Sequence, residues 1–158
     1  MKSVLLMYTE SDGAKADKLQ DYLQGRLRKV AELRSIIDIL AEKQVFINEL
    51  RAIDCVLLVG SRQASSLIQN RQQETDENFI TFDGKAIHDE FSQNQDLVGK
   101  LVIVFLTERT KNDWIPYEGF DEKRVFNLQG GKIQKGNPTL YQLEYTMRRV
   151  FGETVLDW

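Results

Sequence analysis

The sequence has few of the residues that build disulfide frameworks, metal sites and membrane spans. Its 158 residues include one cysteine, Cys55, and one histidine, His88. These two cannot form an internal disulfide or supply the four ligands of a Cys/His zinc site. No apolar run approaches the roughly 20 residues that cross a bilayer, and the apolar stretch after Lys2 is too short for a secretory signal. We therefore expect a cytoplasmic protein with no metal site and no membrane insertion.

The chain also lacks an excess of basic residues. It carries 21 lysines and arginines against 24 acidic residues, which gives a formal net charge of -3. Proteins that neutralise many phosphates usually carry a basic surplus, so we expect no nucleic-acid partner. Hydrophobic residues make up 42% of the chain and charged residues 28%. This mixture is typical of an ordinary soluble globular protein, and the length predicts a single domain over residues 1–158.

Short apolar runs alternate along the chain with amphipathic stretches. The runs predict strands at residues 4–8, 35–40, 55–59, 101–106 and 124–128, because continuous apolar runs of this length suit strands that are covered on both faces. Helices are predicted between them and at the end, where Asn137 and Pro138 form a typical helix start and Gly152 a helix end. This alternation predicts an α/β flavodoxin-like three-layer sandwich. Its central five-stranded parallel sheet has the order 2-1-3-4-5, with helices on both faces.

Functional loops in such a fold lie at the carboxyl ends of the strands. One of them, residues 9–13, holds Glu10 and Asp12 and one glycine, so it would repel phosphate rather than bind it. Cys55 starts a strand and is predicted to be a small buried residue, while His88 is predicted to lie half-exposed on a helix. A nucleophilic thiol needs an adjacent imidazole at a loop end. We therefore expect no catalytic residue and no cofactor.

The helix predicted at residues 64–73 is unusually polar. A face of neutral amides and arginines can hydrogen-bond to a partner protein without burying unpaired charge. An ordinary solvated helix explains the same composition equally well. If the helix is an interface, its predicted contact residues are Leu67, Gln69, Asn70 and Arg71, with Arg62 and Ser66 behind them.

Several stretches together resemble the TIR/SEFIR superfamily of signalling domains. Residues 4–12 are similar to its opening strand, and residues 54–61 to its third strand, which ends in a serine. The helix around His88, the strand at 101–106 and the Trp114-Ile115-Pro116 segment before Arg124 are the most specific match, and they are closer to SEFIR domains than to receptor TIR domains. The resemblance implies a cytosolic adaptor-like module of innate-immune or inflammatory signalling. Such a module assembles weakly with itself or with other TIR/SEFIR-like domains.

The resemblance also bears on catalysis. Enzymatic TIR domains carry a glutamate on the third helix that serves NAD cleavage, and residues 64–71 contain no glutamate. The resemblance therefore implies an interaction domain more than an enzyme. Two alternatives remain open from the sequence. One is an NAD glycohydrolase that uses Glu10 or Asp12, and the other is a ligand-sensing α/β domain without catalysis.

Overall fold

Five parallel strands form the centre of the molecule. The computed structural model describes residues 1–9, 12–35, 46–69, 84–110, 113–114, 120–128 and 133–152. The strands are β1 (Lys2–Met7), β2 (Ala31–Ser35), β3 (Cys55–Gly60), β4 (Leu101–Phe105) and β5 (Val125–Asn127). They pair in the order β2-β1-β3-β4-β5, every pair parallel. This confirms the predicted α/β flavodoxin-like fold.

Helices cover both faces of this sheet. Their bounds are α1 (Gly13–Leu27), α2 (Phe46–Ala52), α3 (Arg62–Ile68), α4 (Gly84–Gln93), α5 (Gln95–Val98) and α6 (Pro138–Val150). One core cluster packs α1 and α6 against one face of the sheet. A second cluster packs the helices α2, α3, α4 and α5, together with Trp114 and Phe120, against the other face. Every residue of β3 and β4 is buried, as expected for central strands between two helical layers. Among the described residues, no helix is long and apolar enough to cross a membrane.

The last helix, α6, begins and ends as its sequence predicts. The Oδ1 atom of Asn137 accepts the backbone N–H groups of Thr139 at 2.9 Å and Leu140 at 3.3 Å, and Pro138 occupies the first turn. Gly152 follows the helix with a φ of +82°, a conformation that glycine adopts without steric cost. The two hydrogen bonds to Asn137 satisfy amides that a helix start otherwise leaves unpaired.

A buried glutamate connects α6 to α1. The side chain of Glu144 is 1% exposed, and its Oε1 accepts the Nε–H of Arg26 at 2.7 Å. Its Oε2 lies 3.4 Å from Nε of Arg148, one turn further along α6. The Glu144 carboxylate raises the pKa of Arg26, chiefly through the hydrogen bond between the two side chains. A carboxylate this deeply buried is expected to be held by charged partners, so Glu144 joins two helices that are far apart in sequence.

Two strands differ in position from the prediction. β2 begins at Ala31 rather than residue 35, because Leu33 donates its N–H to Gln24 of α1 at 2.9 Å and Ala31 accepts from the same amide at 3.3 Å. β5 begins one residue later than predicted, since Asp121 caps a short 3₁₀ helix, Glu122–Arg124. The predicted strand residues 36–40 and the predicted extended segment 79–82 lie outside the described residues.

Candidate functional site

The loops after β1, β3 and β4 meet at the carboxyl edge of the sheet. In the first of them, the Thr9 hydroxyl donates to Oδ2 of Asp12 at 2.8 Å, and both residues are buried. The Asp12 amide also donates to the Thr9 carbonyl at 2.9 Å. Asp12 is therefore engaged in forming the turn that leads into α1. Glu10, the other acid of this loop, lies outside the described residues.

The end of β3 leaves no room for a side chain. A Cβ atom on Gly60 would lie 2.5 Å from the ring of Phe105, which is fully buried on β4. The next residue, Ser61, accepts the N–H of Ala64 on its Oγ at 3.1 Å and so caps α3. Gly60 and Ser61 thus pass the chain from the sheet into α3 in close contact with Phe105.

Ser65 of α3 holds the loop that follows β4. Its Oγ accepts the buried N–H of Trp114 at 2.8 Å and lies 3.3 Å from Oδ1 of Asp113, to which it donates. The second oxygen of Asp113 accepts the N–H of Thr110 at 2.7 Å. The ring of Trp114 packs beside Phe91 of α4, with the two centroids 5.8 Å apart. The Asp113 carboxylate therefore accepts hydrogen bonds from the Ser65 hydroxyl and the Thr110 amide, both groups of the protein itself.

An ion pair joins the segment after β4 to the 3₁₀ helix that precedes β5. Arg109 donates to both oxygens of Glu122, at 2.9 and 3.1 Å, and its guanidinium lies 5.6 Å from the centre of the Phe105 ring. The hydrogen bond from Arg109 is the main reason that the pKa of the Glu122 carboxyl is lowered. Bidentate pairs of this kind fix geometry as well as charge. The pair restrains the residues that flank β4 and β5.

The predicted contact residues of α3 have different environments. Arg62 and Gln69 are exposed at the two ends of the helix. Ser66 is fully buried, because the small side chains of this short helix pack within the fold, so its hydroxyl does not reach the surface as the prediction required. Asn70, Arg71 and the side chain of Leu67 lie outside the described residues.

Cys55 and His88 occupy the environments that the sequence predicts. Cys55 is completely buried at the start of β3, and this burial raises the pKa of its thiol. Because a reactive cysteine needs an accessible thiolate, Cys55 is a packing residue. His88 is exposed on α4. Within the described part of the chain, no group of three or more His, Cys, Asp or Glu side chains is placed to hold a metal ion.

The opposite, amino edge of the sheet carries a feature that sequence reasoning missed. We call it the amino-edge cleft, an open depression of about 540 Å³. Its lining residues come from four separate parts of the chain, so no sequence motif predicts it. The lining residues are Met1, Lys2, Val30, Asp54, Phe151 and Gly152.

Hydrogen bonds from the start of β1 order this cleft. Asp54 accepts the N–H of Ser3 at 2.8 Å and its hydroxyl at 3.2 Å. The N–H of Lys2 donates to the Val30 carbonyl at 3.0 Å. The floor of the cleft is therefore tied to the sheet.

Comparison of the chain with protein-family models, with curated proteins and with solved structures finds no match.

Proposed function

We propose that the chain is a TIR/SEFIR-like interaction domain of a cytoplasmic signalling protein in an innate-immune or inflammatory pathway. Its partners are like domains, including further copies of itself. Because one fold serves many functions, the sheet order is only compatible with this proposal and does not carry it. The supporting observation is the state of the carboxyl edge, where Asp12 and Asp113 are both engaged in bonds within the protein.

This arrangement favours binding over chemistry. A general base or an oxocarbenium-stabilising carboxylate must face the substrate, whereas Asp12 and Asp113 hold loops in place. The described parts of these loops are held by bonds within the protein, and a contact surface that is already ordered lowers the entropy cost of association. Arg62 and Gln69 lie at the two ends of α3 beside that surface. Weak contacts of this kind become effective when the domains are brought together at high local concentration.

Charge reversal at Arg62 tests the surface. We expect the weight-average mass of the wild-type chain to rise with concentration in sedimentation experiments. The Arg62→Glu and Gln69→Glu double variant should need about tenfold more protein for the same rise, equivalent to roughly 1.4 kcal/mol. Lys18→Glu is the control, since Lys18 is exposed on α1, which packs on the opposite face of the sheet. Lys18→Glu should behave as the wild type.

Two results would contradict the proposal. One is equal association of the wild type and the α3 variant at every concentration. The other is enzymatic activity, measured as nicotinamide release from NAD by the purified chain. An NAD glycohydrolase would need a carboxylate at the carboxyl edge, and Asp12 is bonded to Thr9. Turnover that is lost in Glu10→Gln would therefore replace the interaction domain with the enzyme.

A further inference from the structure

One side chain of α1 covers the outer edge of β2, the side of the strand that faces away from β1. In the sheet order, β2 stands last and pairs with β1. On its outer side, Nε2 of Gln24 donates to the Ala31 carbonyl at 3.3 Å, and Oε1 of Gln24 accepts the Leu33 N–H at 2.9 Å. A carboxamide offers the same donor and acceptor as a peptide group. Gln24 therefore occupies the place that a neighbouring strand would take.

These two bonds show which residues of β2 direct their backbone polar groups outward. Along a strand, successive residues direct their N–H and C=O groups to opposite edges. Because Ala31 and Leu33 bond to Gln24, their groups face outward, and those of Glu32 and Arg34 face β1. An outward row of such groups is a template for pairing with another chain. The outer edge of β2 is therefore a strand-pairing surface that Gln24 occupies.

The short sequence of β2 is complementary in charge to its own reverse. In an antiparallel pair of two β2 strands centred on Leu33, Glu32 of one copy lies opposite Arg34 of the other, and two-fold symmetry repeats this contact. Positions 32 and 34 then form the pairs without hydrogen bonds, whose side chains approach most closely. Opposite charges in such pairs stabilise a sheet. Glu32 is exposed, and the partly exposed Arg34 lies 3.8 Å from Glu49 of α2.

We propose that β2 pairs antiparallel with β2 of a second copy, and that Gln24 opposes this pairing by holding the backbone groups that it needs. This inference rests on the self-association in the proposed function and adds a contact separate from α3. A contact between two identical surfaces closes a two-fold dimer, here by joining two five-stranded sheets edge to edge. Each copy exchanges its Gln24 bonds for bonds between the strands, so the pairing is weak while Gln24 is present.

Substitution of Gln24 tests the control of this edge. Every chain in the experiment carries Arg62→Glu with Gln69→Glu, so that the α3 surface does not contribute. Gln24→Ala should lower by about tenfold the concentration at which the sedimentation mass rises. Gln24→Glu should associate no more strongly than its parent, because glutamate still accepts the Leu33 N–H and places a charge where the second strand would lie. Gln20→Ala, one turn earlier on α1, is the control and should also match the parent.

A mixing experiment tests the register of the pair. In the Gln24→Ala chain, either Glu32→Arg or Arg34→Glu alone places like charges opposite one another, and each should weaken association about tenfold. An equimolar mixture of the two variants should recover it, because opposite charges then face one another between unlike copies. The same mixture is measured in chains that keep Gln24, and thermal unfolding checks that every variant is folded. The mixture should associate more strongly than either variant alone in both backgrounds.

Three results overturn this inference. They are no gain in association from Gln24→Ala, an equal gain from Gln24→Glu, and a mixture that associates no better than its separate components. Each of them leaves the α3 surface standing, because that surface is tested in chains with an unchanged β2 and Gln24. Conversely, no effect of Arg62→Glu with Gln69→Glu removes the α3 surface and leaves the β2 pairing standing. The two proposals can therefore fail separately.

Discussion

The two edges of the sheet differ in how their polar groups are satisfied. At the carboxyl edge, Thr9 bonds to Asp12 and Ser65 joins Asp113 to Trp114. At the amino edge, Lys2, Asp54 and Phe151 are among the residues that line an open cleft of about 540 Å³. Parallel α/β folds commonly place ligands at the carboxyl edge. Here the polar side chains in the described part of that edge position loops, whereas the described residues of the amino edge line a cleft.

The largest effect is expected where the carboxyl edge is most tightly packed. Gly60→Ala places a methyl group 2.5 Å from the buried Phe105 ring, and overpacking of this kind costs about 1–3 kcal/mol of unfolding free energy. Gly25→Ala on α1 is the control, because a Cβ there meets nothing within 4 Å. It should stabilise the chain by about 0.5–1 kcal/mol. Denaturant unfolding measures both changes.

A second substitution tests the origin of that cost. If the Phe105 ring is responsible, Gly60→Ala should cost less in a Phe105→Leu background than in the wild type, which a double-mutant cycle measures. Equal costs in the two backgrounds would show that Phe105 does not limit the space at residue 60. The tight packing of the carboxyl edge would then need a different explanation.

An intermediate effect is expected from the hydrogen bonds of the loop after β4. Ser65→Ala leaves the buried N–H of Trp114 without the Oγ that now accepts it, and an unsatisfied buried amide costs about 1–3 kcal/mol. The control is Ser92→Ala, since Ser92 is exposed and donates to the His88 carbonyl within α4. A loss of stability in Ser65→Ala no larger than in Ser92→Ala would contradict the role given to Ser65.

The smallest effect is expected from the exposed ion pair between Arg109 and Glu122. The pKa of the Glu122 carboxyl is lowered, first by the hydrogen bond from Arg109. The stability that it contributes is therefore present above the ordinary glutamate pKa and is lost as the pH falls through the lowered value. In Arg109→Gln, NMR titration should find the Glu122 pKa moved back up toward its ordinary range. Lys123→Gln, a matched loss of one cation beside Glu122, should leave it low.

The central strands were predictable because β1, β3 and β4 contain continuous apolar runs, and the sheet order followed from the alternation of strands with helices. β3 and β4 are buried along their whole length, so no register of their side chains had to be guessed. The start of α6 was equally clear, since Asn137 and Pro138 are favoured there for local reasons. β2 was misplaced because it is an edge strand with alternating burial, and its position depends on a side chain of α1.

The sites depend on contacts between distant segments and were harder to predict. Ser66 was expected at the surface, and it is buried because the packing around a short polar helix decides which of its residues reach solvent. The amino-edge cleft was missed since Lys2, Val30, Asp54 and Phe151 are brought together only by the fold. Local patterns report helix starts and buried strands, whereas they do not report which loops and helix ends become neighbours.

The packing of α1 with α6, which the bond between Arg26 and Glu144 accompanies, has a consequence for synthesis of the chain. The helices of one layer, α2 to α5, are all synthesised by residue 98. The other layer contains α1 and is completed only when residues 138–150 of α6 have been synthesised. On the ribosome, the core cluster that contains Leu19 and Leu23 of α1 thus stays incomplete until α6 has been synthesised. Partly made chains expose apolar surface that promotes aggregation. A chain truncated before α6 should therefore depend strongly on chaperones.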